Sequence, residues 1–166
     1  YYTSAAWVPF LSSGTGWSIT GNGSTVDGTN FLGTTDDIPF TVRVNNVRAA
    51  RIDNATGAKF NNSWGYLAGN GWTAASVNNT AMGYNALKVS TASYNTAIGN
   101  DSQFTNSTGT FNTSVGSASL YINSTGQYNT AVGYGANERG TGSNNTSVGF
   151  YAMYGNAVAF SGGANT

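Results

Sequence analysis

The sequence predicts an all-β fold, a parallel β-solenoid or β-roll built from rungs of 16 to 17 residues and preceded by an N-terminal β-hairpin module. Three observations carry this expectation. A pentapeptide of the form Asn-Thr-Ala/Ser-Ile/Val-Gly returns at a nearly fixed interval. Gly and β-branched residues dominate where a helical repeat would need helix formers. Only 7% of the 166 residues are Asp, Glu, Lys or Arg, against about 25% in an average domain, so the chain is polar without being charged.

The copies are Asn79-Thr80-Ala81-Met82-Gly83, Asn95-Thr96-Ala97-Ile98-Gly99, Asn112-Thr113-Ser114-Val115-Gly116, Asn129-Thr130-Ala131-Val132-Gly133 and Asn145-Thr146-Ser147-Val148-Gly149. Their glycines, Gly83, Gly99, Gly116, Gly133 and Gly149, lie 16, 17, 17 and 16 residues apart. A looser first copy is Asn62-Ser63-Trp64-Gly65, and a short last one reads Asn156-Ala157-Val158-Ala159-Phe160-Ser161. Self-similarity at a fixed period determines architecture, and this period is too short for a two-helix repeat of about 34 residues.

Each unit reads as a short strand. Thr and Ile or Val lie two apart on one face, while Ala or Ser faces the other. The glycine that follows permits a positive φ or a close backbone approach at a corner. The next stretch, Tyr84-Asn85-Ala86-Leu87 in one copy and Phe150-Tyr151-Ala152-Met153 in another, can supply a second strand, and a turn such as Asn123-Ser124-Thr125-Gly126 closes the rung. Rungs stacked at about 4.8 Å would align Asn79, Asn95, Asn112, Asn129 and Asn145 as an amide ladder. They would likewise align Ile98, Val115, Val132 and Val148 as a narrow apolar spine, the expected repeat core. One such residue and one aromatic per rung make a thin core, for which oligomerisation is the usual remedy.

The repeat region is expected over residues 54–166, as about six rungs and a partial one. Residues 1–53 contain no copy of the repeat and read as a cap or joint module. Within it, Phe40-Thr41-Val42-Arg43-Val44 and Val47-Arg48-Ala49-Ala50-Arg51-Ile52 flank Asn45-Asn46, a pair suited to the two positive-φ positions of a tight hairpin turn. A hairpin laid over the first rung would cover its unpaired edge groups.

Several functions are disfavoured on inventory. A net charge of zero and no cluster of Lys and Arg in the sequence argue against nucleic-acid binding. No run of about 18 apolar residues is present, so no membrane insertion by this segment is expected. With no His, a Ser-His-Asp triad cannot be built. Asp36-Asp37 is the only adjacent acid pair, and neighbours in a strand point apart. We therefore expect no catalytic residues, no cofactor and no metal site. Aromatics such as Trp7, Trp17, Trp64, Trp72, Tyr66 and Tyr154 could anchor a partner or fill the fold. Variation between rungs is greatest just after each glycine, which makes Tyr84, Asp101 and Tyr134 the candidates for surface recognition.

The motif Asn-Thr-Ala-Ile-Gly-X-X-Ala, and above all Asn156 to Ala164, resembles the head repeat of trimeric autotransporter adhesins (YadA-like). The longer period is similar to repeats of bacterial surface proteins and phage tail fibres, which carry upstream modules like Trp17-Ser18-Ile19-Thr20-Gly21-Asn22 and Thr29-Asn30-Phe31-Leu32-Gly33-Thr34-Thr35-Asp36. The resemblance covers about residues 15–164. It implies a β-roll that trimerises with apolar strand faces on a three-fold axis, exposed on a cell surface or a virion fibre. The implied partners are the chain itself, as homotrimer or filament, and a host-surface glycan or protein. The expected function is a non-catalytic structural fibre segment that extends and attaches. A self-assembling extracellular filament without a receptor and a carbohydrate-degrading tailspike are the alternatives. A start at Tyr1 without Met and an end inside a repeat read as a piece of a longer protein.

Overall fold

The computed structural model describes Val26, residues 32–54 and residues 59–155. Among these residues there are strands and no helix. The strands are β1 (Phe40–Val44), β2 (Val47–Ile52), β3 (Asn62–Trp64), β4 (Thr80–Met82), β5 (Thr96–Ile98), β6 (Thr113–Val115), β7 (Thr130–Val132) and β8 (Thr146–Val148). They form one eight-stranded sheet in sequence order. β1, β2 and β3 pair antiparallel, and from β3 to β8 every pairing is parallel, so the chain coils as a β-solenoid of about five turns. The hairpin and the coil share this sheet within the unit Asp36–Thr166; the other unit is Tyr1–Thr35. At β3 the sheet therefore changes from antiparallel to parallel pairing, since β3 meets β2 antiparallel on one edge and β4 parallel on the other. The copy at 156–161, Trp7, Trp17 and the upstream module at 17–22 lie outside the described residues.

Asn45 and Asn46 take φ of 47° and 58°, the pair of left-handed residues that a two-residue hairpin turn with matched twist requires. The hairpin then lies on the first rung, where Ala50 faces Trp64, Arg51 faces Ser63 and Ile52 faces Asn62. The upper edge of that rung receives further cover from Arg48, whose guanidinium donates to the carbonyls of Ala68 and Gly69.

The strands alternate with period two, and the small residues take the inner face. Ala81, Ala97, Ser114, Ala131 and Ser147 are buried, and they meet the buried Ala68, Ala86, Ser102, Ser119 and Ala136 that follow each glycine. The interior is so narrow that Leu87 and Leu120 are its largest apolar side chains. Two apolar clusters form around these leucines. Between them lies a polar layer in which Ser102 Oγ meets Ser114 Oγ at 2.5 Å and Ser119 Oγ at 3.2 Å, while Gln103 Nε2 donates to the Thr96 carbonyl at 2.8 Å. Serine replaces alanine here almost without change of volume, and its hydroxyl finds a partner within the layer.

Two expectations need correction. The spine Ile98, Val115, Val132 and Val148 does align strand by strand, but it is not the core of the coil. These side chains are 37%, 37%, 36% and 68% exposed, because period two sends them outward with Thr while the inner face admits only Ala and Ser. The second strand expected in Tyr84-Asn85-Ala86-Leu87 and Phe150-Tyr151-Ala152-Met153 is instead a succession of tight turns. Asn85 and Leu87 have φ of 56° and 49°, and Ala86 N donates to Gly83 O and Lys88 N to Asn85 O. Tyr151 and Met153 repeat this geometry with φ of 50° and 52°. These turns still pair between rungs, Asn85 N to Tyr66 O and Leu87 N to Ser102 O, so the ladder continues without extended backbone.

Gly116 shows why the corner excludes other residues. Its φ is 135°, and a Cβ there would lie 2.3 Å from the carbonyl oxygen of Gly133 in the next rung. Gly83, Gly99 and Gly133 repeat this contact, while Gly149, at φ 130°, meets among the described residues only Ala152 Cβ at 3.8 Å.

Candidate functional site

The outer face of the sheet is a pair of parallel rows. Val42, Ala50, Trp64, Met82, Ile98, Val115, Val132 and Val148 are direct partners across all eight strands. Beside them run Phe40, Ile52, Asn62, Thr80, Thr96, Thr113, Thr130 and Thr146. Neither row contains a charged residue. Trp64 and Met82 are 62% and 46% exposed, so the apolar row is open along the coil. Where small Ala50 stands between Val42 and Trp64, the row deepens into a recess of about 400 Å³ walled also by Val44 and Tyr66.

The three residues singled out for recognition lie on the turn side, after the glycines. Tyr84 is half exposed and stacks on Tyr66 with ring centres 6.2 Å apart and planes within 5°. Asp101 follows in the next rung, its backbone N donating to Tyr84 O at 2.9 Å. Its carboxylate accepts from Asn85 Nδ2 at 2.9 Å and Asn100 Nδ2 at 2.7 Å, so it is tied to its neighbours. Tyr134 stacks on Phe150 at 5.6 Å and meets Tyr151 edge-on at 5.2 Å. The Tyr151 phenol is held above its usual pKa first by its hydrogen bond with Tyr134 and then by burial. The fold thus brings Tyr84 and Asp101 together and leaves Tyr134 two rungs beyond Asp101, so the three do not make one cluster.

Sequence reasoning missed an aromatic ladder. Tyr94, Phe111 and Tyr128 stack on one another at 4.7 and 5.2 Å, with planes within 9°, and each is about half exposed. The signal was an aromatic residue directly before the Asn in three successive copies. Stacking occupies the ring faces and leaves mainly edges to solvent, so a flat sugar face has little free π surface between the rungs. Phe104 and Tyr121 form a further stack at 5.2 Å, with Lys88 Nζ 5.3 Å from the Phe104 ring centre.

Among the described residues no three His, Cys, Asp or Glu side chains gather where they could hold a metal ion, and no helix is long and apolar enough to cross a membrane. No family model, curated protein or solved structure matches the chain.

Proposed function

We propose that this chain is a structural segment of an extracellular fibre, in which copies associate through their outer sheet faces and the coil extends a surface used for attachment. The observation that carries this reading is the uncharged apolar row running across all eight strands. Soluble monomers seldom expose a contiguous apolar stripe, and a stripe with a regular rung repeat is self-complementary to the same stripe on another copy. A three-fold arrangement lets three such stripes meet on one axis and bury Met82, Ile98, Val115, Val132 and Val148 together. The resemblance of the pentapeptide to trimeric adhesin heads and tail-fibre repeats supports this geometry. In this reading the β1–β2 hairpin caps one end of each coil and prevents edge-to-edge pairing there.

The role is non-catalytic, and the attachment surface consists of the residues that differ between rungs, Tyr84, Asp101 and Tyr134 among them. Native mass measurement of the purified chain, with its β-structure checked by circular dichroism, tests the association on which the proposal rests.

A further inference from the structure

Half of the chain's six basic residues, Arg43, Arg48 and Arg51, sit on one hairpin of a protein otherwise almost without charge. The sequence spaces them unremarkably, but the fold gathers them. Arg43 is the direct cross-strand partner of Arg48, and Thr41 of Arg51. With Asn46 and Asn70 they line an open cleft of about 390 Å³.

Their present contacts leave cationic capacity unused. Arg48 is spent on the Ala68 and Gly69 carbonyls, yet its Nε is buried without a hydrogen-bond partner among the described residues. Arg51 is engaged by Asp53 at 2.5 to 2.6 Å. Among the described residues Arg43 reaches the side-chain oxygen of Asn46 at 2.9 Å and, weakly, its carbonyl at 3.4 Å. Burial lowers the pKa of Arg48, and Arg51 and Arg43 lower it further, while Asp53 opposes them. Arg51 balances the buried side chain of Asp53 and Arg48 reaches the first rung, so the exposed Arg43 is the guanidinium whose place the fold explains least.

We propose that this cleft is an anion-binding site that takes the carboxylate or phosphate group of a polar ligand of about sugar size. Guanidinium forks match both oxyanions, and an anion here would relieve the repulsion among the three arginines. Thr41, Asn46 and Asn70 supply neutral hydrogen-bonding groups around the charge, and the volume falls in the range of small-molecule sites. The inference concerns a single chain and stands apart from the association of copies.

Titration of the full chain with glucuronate, glucose 6-phosphate and glucose, followed by NMR, tests it. At least one of the two anions should saturate, with shifts on Arg43, Arg51 and Asn70, and glucose should not; which anion binds identifies the oxyanion. Arg43→Gln should weaken that binding about tenfold, the loss of one charge-assisted hydrogen bond, and raised salt should weaken it too. Arg43 is exposed, and Asn70→Ala serves in its place should that variant fold poorly. The proposal fails if neither anion saturates, if glucose binds as tightly, or if affinity is unchanged in the variant.

Discussion

Asn95 ties its rung to that of Asn112 through both ends of its side-chain amide. Its side-chain oxygen accepts from the backbone N–H of Asn112 at 3.0 Å, and its Nδ2 donates to the carbonyl of Gly109 at 2.9 Å. Asn61, Asn79, Asn112 and Asn129 likewise accept from the backbone N–H one rung on, and all are buried. The ladder thus runs from side chain to backbone, with direct amide bonds added from Asn79 to Asn61 and from Asn145 to Asn129.

Asn112→Ala should therefore cost about 1 to 3 kcal/mol, because it strands the N–H of Asn129 away from water, while the Gly126 carbonyl keeps its bond from Asn123 Nδ2. Thr125→Ala, on the exposed turn of the same rung, should stay within about 0.5 kcal/mol. Chemical denaturation of both variants checks the contrast.

The corner glycines should not be equivalent. Among the described residues Gly149→Ala meets nothing closer than 3.8 Å and faces the cost of its positive φ, about 1 to 3 kcal/mol. Gly116→Ala adds a 2.3 Å clash with Gly133 O and should lower the melting temperature clearly more. Equal shifts would show that the rungs yield easily at this corner.

Phe111 lies between Tyr94 and Tyr128, so Phe111→Ala removes two ring contacts and should cost about 1 to 3 kcal/mol, while Tyr128→Ala removes one and should cost about half as much. Changing Tyr84, Asp101 and Tyr134 together should reduce attachment to a target surface with little loss of thermal stability. A fall in both together would assign these residues to packing.

Much of this was legible in the sequence because the repeat states it five times. The period, the hairpin around Asn45-Asn46 and the separation of Ala or Ser from Thr and Val onto opposite faces each follow from backbone geometry, but which face closes inward was not legible, because apolar size argues for Ile and Val inside. The turns after the glycines were not legible. Leu87 and Leu120 occupy positive φ, which their branched side chains disfavour locally, and burial in the coil overrides that preference. Polar character is no guide to exposure here either, since Asn137 is fully buried. The arginine cleft was hidden because a hairpin register, not sequence spacing, gathers its side chains.

Adjacent residues separate folding from association. Ala131→Asp places a charge in the closed interior and should unfold the coil, since Ala131 is fully buried. Val132→Asp points the charge outward, so a folded coil should remain while association is lost. Identical behaviour of the two variants would contradict the assignment of inner and outer faces.

Sedimentation equilibrium of the unmodified chain tests the central claim most directly. Three copies meeting on their outer sheet faces predict a mass three times 17.1 kDa, falling to one chain in Val132→Asp with β-structure retained. A single-chain mass for the unmodified protein, with its β-structure intact, would contradict the account.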